Sequence, residues 1–316
     1  NRFKIDWEKD PPVVPVKTGT FRLTDYPIEE IIPYINWMFF FVIWELRGKF
    51  PEILKDQKYG TEATKLYDDA REMLDKIVEE KWLQANAVFG IYPANSVGDD
   101  IIVYTDETRS KELARFVNLR NQTKKDADAK NLALSDFIAP VELGIKDYVG
   151  AFAVTAGLGV EQRVKAFEAD HDDYSSIMLK ALADRLAEAF TELIHEKIRK
   201  EIWGYAPTEH LSMDDLFKEK YAGIRPAHGY PACPEHSEKA SLFQLLNAKE
   251  QGIELTENYS MTPAASVSGL IFAHPMSKYF FVGKVGRDQI DNYAKRKTID
   301  VDTAKSLLAS NLNFTD

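Results

Sequence analysis

The chain has 316 residues, 45% hydrophobic and 28% charged, with a single cysteine, Cys233. This is ordinary globular usage for one large domain or two smaller ones, which excludes a disordered chain, a collagen-like repeat and a disulfide scaffold; the lone thiol implies a reducing, cytoplasmic setting. Fifty acidic against forty basic side chains leave a net charge of −10, which argues against nucleic acid, and the longest apolar run, Trp37 to Trp44, falls far short of the ~20 residues that cross a bilayer.

The chain opens at Asn1 with charged residues close behind and no leader pattern, as a segment of a longer protein would. Pro11, Pro12 and Pro15 disfavour helix and predict an extended arm laid over the body as far as Arg22. A helical region follows from Pro27, interrupted at Pro33 and ended at Gly48, whose tryptophan- and phenylalanine-rich turns are expected mostly inside. Thr61 to Trp82 reads as an amphipathic helix with Ala63, Leu66, Tyr67, Ala70, Met73, Leu74 and Ile77 toward a core. Ala87–Tyr92 and Ile101–Tyr104 read as short strands joined by a turn-rich loop from Pro93 to Asp100. Tyr148–Thr155 alternates as a central strand does. A long helix spans Tyr174 to Trp203, capped by Asp172 or Asp173 and stopped at Gly204. Shorter helices are predicted over Asp214–Tyr221, Ser237–Lys249 and Arg287–Lys297, with Asp302 as the last cap. Ser266–His274 and Tyr279–Val285 read as a hairpin across Pro275. Helices and strands come in blocks, which predicts an α+β fold with a twisted, mainly antiparallel sheet and flanking helices.

Several residue groups resemble chemical motifs. Gly157-Leu158-Gly159 lacks the third glycine of a dinucleotide turn, where Gln162 stands, and reads as a strand-ending turn. His195-Glu196 opens like a zinc-protease helix, but Arg199 stands where the second histidine is needed. His228, Cys233, Glu235 and His236 are suitable metal ligands at no standard spacing, so no metal is assigned. Asp184, Glu188, Glu192 and His195 share one helix face, read as solvated rather than as a paired-carboxylate site. Arg225-Pro226-Ala227-His228-Gly229-Tyr230-Pro231-Ala232-Cys233-Pro234-Glu235-His236 is a rigid segment. It suits either a small zwitterion, with the guanidinium on a carboxylate, or a well-packed connection into the next helix.

That segment joins Tyr34-Ile35-Asn36-Trp37, Pro93-Ala94-Asn95 with Asp99-Asp100, Leu134-Ser135-Asp136-Phe137-Ile138-Ala139-Pro140 and Tyr148-Val149-Gly150-Ala151-Phe152-Ala153-Val154. His171-Asp172-Asp173-Tyr174, the stretch Lys180 to Phe190, Trp203-Gly204-Tyr205, Ser266-Val267-Ser268-Gly269 and Ser277-Lys278-Tyr279 complete the set. Over nearly the whole chain the sequence closely resembles the C-terminal activation domain of cobalamin-dependent methionine synthase. The resemblance implies a C-shaped single domain over residues 1–316, with an extended arm at 1–25, a mainly helical part at 26–85 and a sheet-and-helix part at 86–316 that carries a shallow ligand groove. It implies a methyltransferase module that binds S-adenosylmethionine, docks over cob(II)alamin carried by a neighbouring module of the parent protein, and accepts one electron from a flavodoxin-like reductase so that methylcobalamin is regenerated. The isolated domain is then a binding module without full turnover and without a catalytic acid or base.

By motif match, Arg225 holds the methionine carboxylate, and the backbone at Ala227, Gly229 and Tyr230 contacts the adenosyl part. Tyr279 and Phe280 line the groove, and Asn36 and Glu188 face the cationic ligand. Two positions depart from the family pattern: Asn36 replaces the usual aspartate, which loses a charge near the ligand, and Phe280 stands where tyrosine is common. An acidic reductase would meet a basic surface among Lys278, Lys284, Arg287, Lys295, Arg296 and Lys297. The rival readings are a self-contained small-molecule methyltransferase with Glu188 and His195 as its base, and a docking surface without ligand.

Overall fold

A computed structural model describes residues 2–123 and 129–314. Two long strands organise it. β2 (Gln84–Val97) and β5 (Asp147–Leu158) pair antiparallel along most of their length, with Phe89 opposite Phe152. β3 (Asp100–Tyr104) and β4 (Glu112–Val117) extend the sheet on one side, β8 (Ser266–Ile271) on the other, and β1 (Gly19–Leu23) pairs with the first half of β2. All five of these strand pairings are antiparallel. A separate small ribbon joins β6 (Glu254–Leu255) to β7 (Met261–Thr262).

The two-residue side-chain period divides β2 and β5 between two cores. Ala85, Ala87, Phe89 and Ile91, with Tyr148, Phe152, Val154 and Ala156, face a cluster closed by α1 (Ile28–Ile31), α2 (Trp37–Ile43), α3 (Gly60–Glu79), α4 (Val160–Ala169) and α5 (Asp173–Lys197). Val88, Tyr92, Ala94, Val149, Ala151 and Ala153 face the opposite cluster, covered by α7 (Glu238–Leu246) and by Leu134 and Phe137. α6 (Met213–Phe217) precedes the loop at Arg225, and α8 (Arg287–Lys297) with α9 (Val301–Leu307) forms a third cluster against Val117 and Leu119. Among the described residues no helix is long and apolar enough to cross a membrane.

The fold is α+β with an antiparallel sheet, as the block pattern predicts. The α3 face buries Ala63, Leu66, Ala70, Met73, Leu74 and Ile77. The Asp172 carboxylate accepts from Ser175 N at 2.9 Å to cap α5, and Gly204, at φ 78°, ends the π-helical turn Ile198–Ile202 that follows it. Gly159, at φ 96°, turns the chain out of β5; a Cβ there would lie 2.3 Å from Trp82 O.

Other expectations are corrected. The arm is not extended throughout: Asp6 O accepts from Lys9 N and Asp10 N in a turn, and the arm's end is a strand, β1. α2 stops at Ile43 rather than Gly48, and only Trp37, Phe40 and Phe41 enter the core; Met38, Phe39, Val42 and Ile43 are exposed on its opposite face. The loop between Tyr92 and Ile101 is only a tight turn at Gly98 and Asp99, because β2 runs through Pro93 to Val97 and β3 begins at Asp100. On that edge the register with β1 ends at Ile91 and that with β3 begins at Ala94, so the residue without an N–H falls in the gap between partners. The hairpin across Pro275 is absent, because the outer edge of β8 is taken by Ile224 and Pro226: Phe272 N donates to Ile224 O at 2.9 Å and Leu270 N to Pro226 O at 3.0 Å. Asp300, not Asp302, caps the last helix, accepting from Thr303 N at 2.8 Å.

Candidate functional site

The edge pairing that displaces the hairpin also positions the Arg225–His236 segment. It enters stapled to β8, and Gly269 makes the approach possible, since a Cβ there would meet Pro226 O at 2.4 Å. It then closes on itself: Gly229 N donates to Cys233 O at 2.9 Å, Cys233 N to Tyr230 O at 2.9 Å, and the Cys233 thiol to Ala227 O at 3.0 Å. Gly229 has φ 93°, and a Cβ there would run into the His236 ring at 2.2 Å, so glycine is required by both conformation and space. His228 is buried and stacked on Phe116, with ring centroids 5.9 Å apart and neither nitrogen partnered. Burial pushes its pKa down to about 4, and the Cys233 thiol is pushed up by burial. Glu235 is occupied by Ser237 and by the Tyr293 hydroxyl at 2.7 Å. Among the described residues no cluster of His, Cys, Asp or Glu is arranged to hold a metal ion.

An open groove of about 350 Å³ lies beside this loop, bordered by Phe152, Glu188, Thr191, Glu219, Arg225, Pro226, Ala227, Tyr230, Pro231, Ala232, Val267, Tyr279, Phe280 and Phe281. Its volume is in the range of small-ligand sites. Tyr230 and Phe281 are 64% and 72% exposed, so the rim is aromatic and open.

Beneath the groove α5 carries a charged network. Arg225 Nη2 donates to Glu192, while Nη1 is buried without a partner. The two side chains are only 13% and 11% exposed. Burial is the largest influence on Arg225 and opposes its charge, but Glu192 together with Tyr221 and Tyr279 outweighs it and holds the guanidinium above its ordinary value; burial in turn raises Glu192 above the usual carboxylate range against the pull of Arg225. The other end of Arg225 is tied down as its backbone N–H donates to the Tyr279 hydroxyl at 3.0 Å, which lies 3.4 Å from the Tyr221 hydroxyl. His195 is 1% exposed, with Nε2 3.3 Å from Tyr205 OH; burial, then the charges of Arg225 and Arg199, hold it well below its usual pKa. Arg199 is fully buried and donates to Glu209 at 2.8 and 2.6 Å.

The helix face expected to be solvated is therefore buried where it meets the loop: Glu192 and His195 are inside, Glu188 borders the groove, and only Asp184, paired with Arg185, stays half exposed. Six of the sequence-derived site residues come together in the groove lining: Glu188, Arg225, Ala227, Tyr230, Tyr279 and Phe280. Gly229 shapes the loop, and Asn36 stands outside the lining, where its carboxamide oxygen accepts from Met38 N at 3.2 Å and caps α2. His195 is also outside the lining, which removes it as a base facing the groove. Sequence reasoning missed Thr191, Glu219 and Phe281 and the sheet residues Phe152 and Val267, and it did not single out Glu192 as the partner of Arg225. Glu192 was visible in the carboxylate row on α5, but nothing local tied it to Arg225.

The family model described as "Vitamin B12 dependent methionine synthase, activation domain" matches residues 27–298. A solved structure described as the MetH reactivation domain bound to AdoHcy is 50% identical, with a TM-score of 0.97 over 100% of this chain and 97% of that one. With nearly the full chain superimposing and most of it matching the family model, the protein belongs to the activation domains of vitamin B12-dependent methionine synthase.

Proposed function

We propose that the groove binds S-adenosylmethionine and presents its methyl group for the reactivation of methionine synthase. The observation that carries this reading is Arg225, a buried guanidinium at the groove with one terminal nitrogen held by Glu192 and the other, Nη1, unpartnered. The residues suit the ligand: a carboxylate finds a guanidinium, cationic centres find Glu188 and Glu219, and a planar base finds Pro226, Tyr230 and the aromatic rim. When bound, S-adenosylmethionine supplies an electrophilic methyl group, and the cobalt that accepts it belongs to a cobalamin held by a neighbouring module of the parent protein. The side chains of this chain bind and orient; none moves a proton, and the open rim leaves one side of the ligand accessible to a docked module. On this reading the isolated chain is a binding module without full turnover, cytoplasmic like its partners.

The electron would come from an acidic flavodoxin-like reductase. Two of the six basic residues predicted to greet it are partly buried in ion pairs. Arg296 bridges Asp100 and Asn118 O, the latter at 3.0 Å, and Lys297 pairs with Glu238 and, at 3.4 Å, Glu235. Lys284 donates to Ser310 O at 3.1 Å and the Arg287 guanidinium lies 4.3 Å from the Phe314 ring, but both stay exposed, as do Lys278 and Lys295, so these four form the proposed docking surface. Calorimetric titration of the chain with S-adenosylmethionine, followed by a cobalamin-loaded module and a reductant with methylcobalamin followed by absorbance, tests the reading. Absence of ligand binding would refute it.

A further inference from the structure

Among groups the proposed ligand contacts leave unassigned, Glu192 stands out. It lies one turn beyond Glu188 on α5, behind Arg225 rather than in the groove lining, and its Oε2 is buried without a partner. An arginine presents its donors in a rigid fork, so fixing one terminal nitrogen fixes the direction of the other. Here Nη2 is held by Glu192, the backbone N–H of the same residue is held by the Tyr279 hydroxyl at 3.0 Å, and the guanidinium lies 5.8 Å from the Tyr221 ring. These contacts leave Nη1 as the terminal nitrogen without a protein partner. A long side chain bordering an open groove otherwise has several rotamers to lose on binding.

The geometry points to Glu192 as a positioning residue for ligand recognition: it anchors Arg225 from behind by accepting a hydrogen bond at Nη2, so that Nη1 is preset for the carboxylate of an amino-acid-bearing nucleoside. This rests on the assignment of Arg225 to the ligand carboxylate. The role belongs to the accepting oxygen rather than to the charge, since a second carboxylate beside the ligand's own adds repulsion, not attraction. Arg199 sits on the same helix but is directed to Glu209 by two hydrogen bonds and cannot substitute.

The test compares S-adenosylmethionine with decarboxylated S-adenosylmethionine, which keeps the sulfonium and the amine, by calorimetry on the whole chain. Glu192→Leu, which fills the volume without an acceptor, should weaken S-adenosylmethionine at least tenfold and change the decarboxylated ligand less than twofold. Glu192→Gln, which restores an acceptor, should bind S-adenosylmethionine within threefold of wild type or tighter. The selective loss is a readout that general damage to the fold does not produce, and retained binding of the decarboxylated ligand reports an intact groove. Equal loss on both ligands, no loss on either, or a Glu192→Gln variant as weak as Glu192→Leu overturns the inference. Wild-type protein that binds the two ligands equally well overturns instead the Arg225–carboxylate contact, and wild-type protein that binds neither overturns the proposed function.

Discussion

Replacing Arg225 by alanine separates two consequences that the sequence alone merges. Seen as a ligand contact, Arg225 supplies a charge-assisted donor to a carboxylate, worth about 1.5–3 kcal/mol, so the variant should bind S-adenosylmethionine roughly ten- to two-hundredfold more weakly. From the sequence, folding should barely change. The structure says otherwise, because Glu192 is mostly buried and Arg225 is its ion-pair partner. Removing one member of such a pair leaves an uncompensated buried carboxylate, at a cost of about 3–5 kcal/mol. In a chain of this size that lowers the melting temperature on the order of 5–10 °C. The penalty belongs to ionised Glu192, whose folded pKa is already raised and rises further without Arg225. A raised carboxylate pKa destabilises above the unfolded value, so the deficit relative to wild type should be largest near neutral pH and shrink as pH falls toward ~4.5. Melting curves from pH 7.5 to 5 and calorimetric titration of the folded variant measure the two effects. Arg225→Ala combined with Glu192→Gln should recover most of the stability and none of the affinity. Unchanged affinity in a folded variant would refute the carboxylate assignment, and an unchanged melting temperature at neutral pH would refute the buried pair.

Asn36→Asp should keep α2 capped, since aspartate caps as well as asparagine, and should tighten S-adenosylmethionine binding at low salt with the gain fading as salt rises; equal or poorer affinity in calorimetry would make Asn36 a cap only. Reversing Lys284, Arg287 and Lys295 to glutamate should slow association with a flavodoxin-type partner and flatten its salt dependence in stopped-flow measurements, with ligand affinity retained. His228 is held neutral with a pKa near 4, so folding loses stability as pH falls from about 6.5 toward 4, by roughly 3 kcal/mol from this group alone. His195, His236 and His274 are shifted the same way, so His228→Leu should remove part of the acid-side loss seen in denaturant titrations, and an unchanged pH profile would mean that His228 is solvated.

The sequence by itself determined those features whose causes lie within a turn or two of chain. The spacing of Ala63 through Ile77 decided the buried face of α3, the Asp172 carboxylate and Gly204 decided where the long helix begins and stops, and the prolines and Gly229 decided that the Arg225 loop would hold a shape. Six of the residues named by family motif line one groove. Tertiary structure decided which segment claims the open edge of β8, because an edge accepts backbone from any segment of the right direction, and here Ile224 to Pro226 occupies it in place of Tyr279 to Val285. It also decided that Pro93 lies within a strand, since the cost of a missing N–H depends on whether a neighbouring strand needs it. Most consequentially, it decided the fate of the polar row on α5. A helix face of Glu188, Glu192 and His195 is solvated or buried according to what is laid against it, and the guanidinium that makes burial of Glu192 affordable arrives from Arg225, far along the chain. Local pattern fixes which groups share a face; only the packing of distant segments supplies the counter-charge that lets such a face go inside.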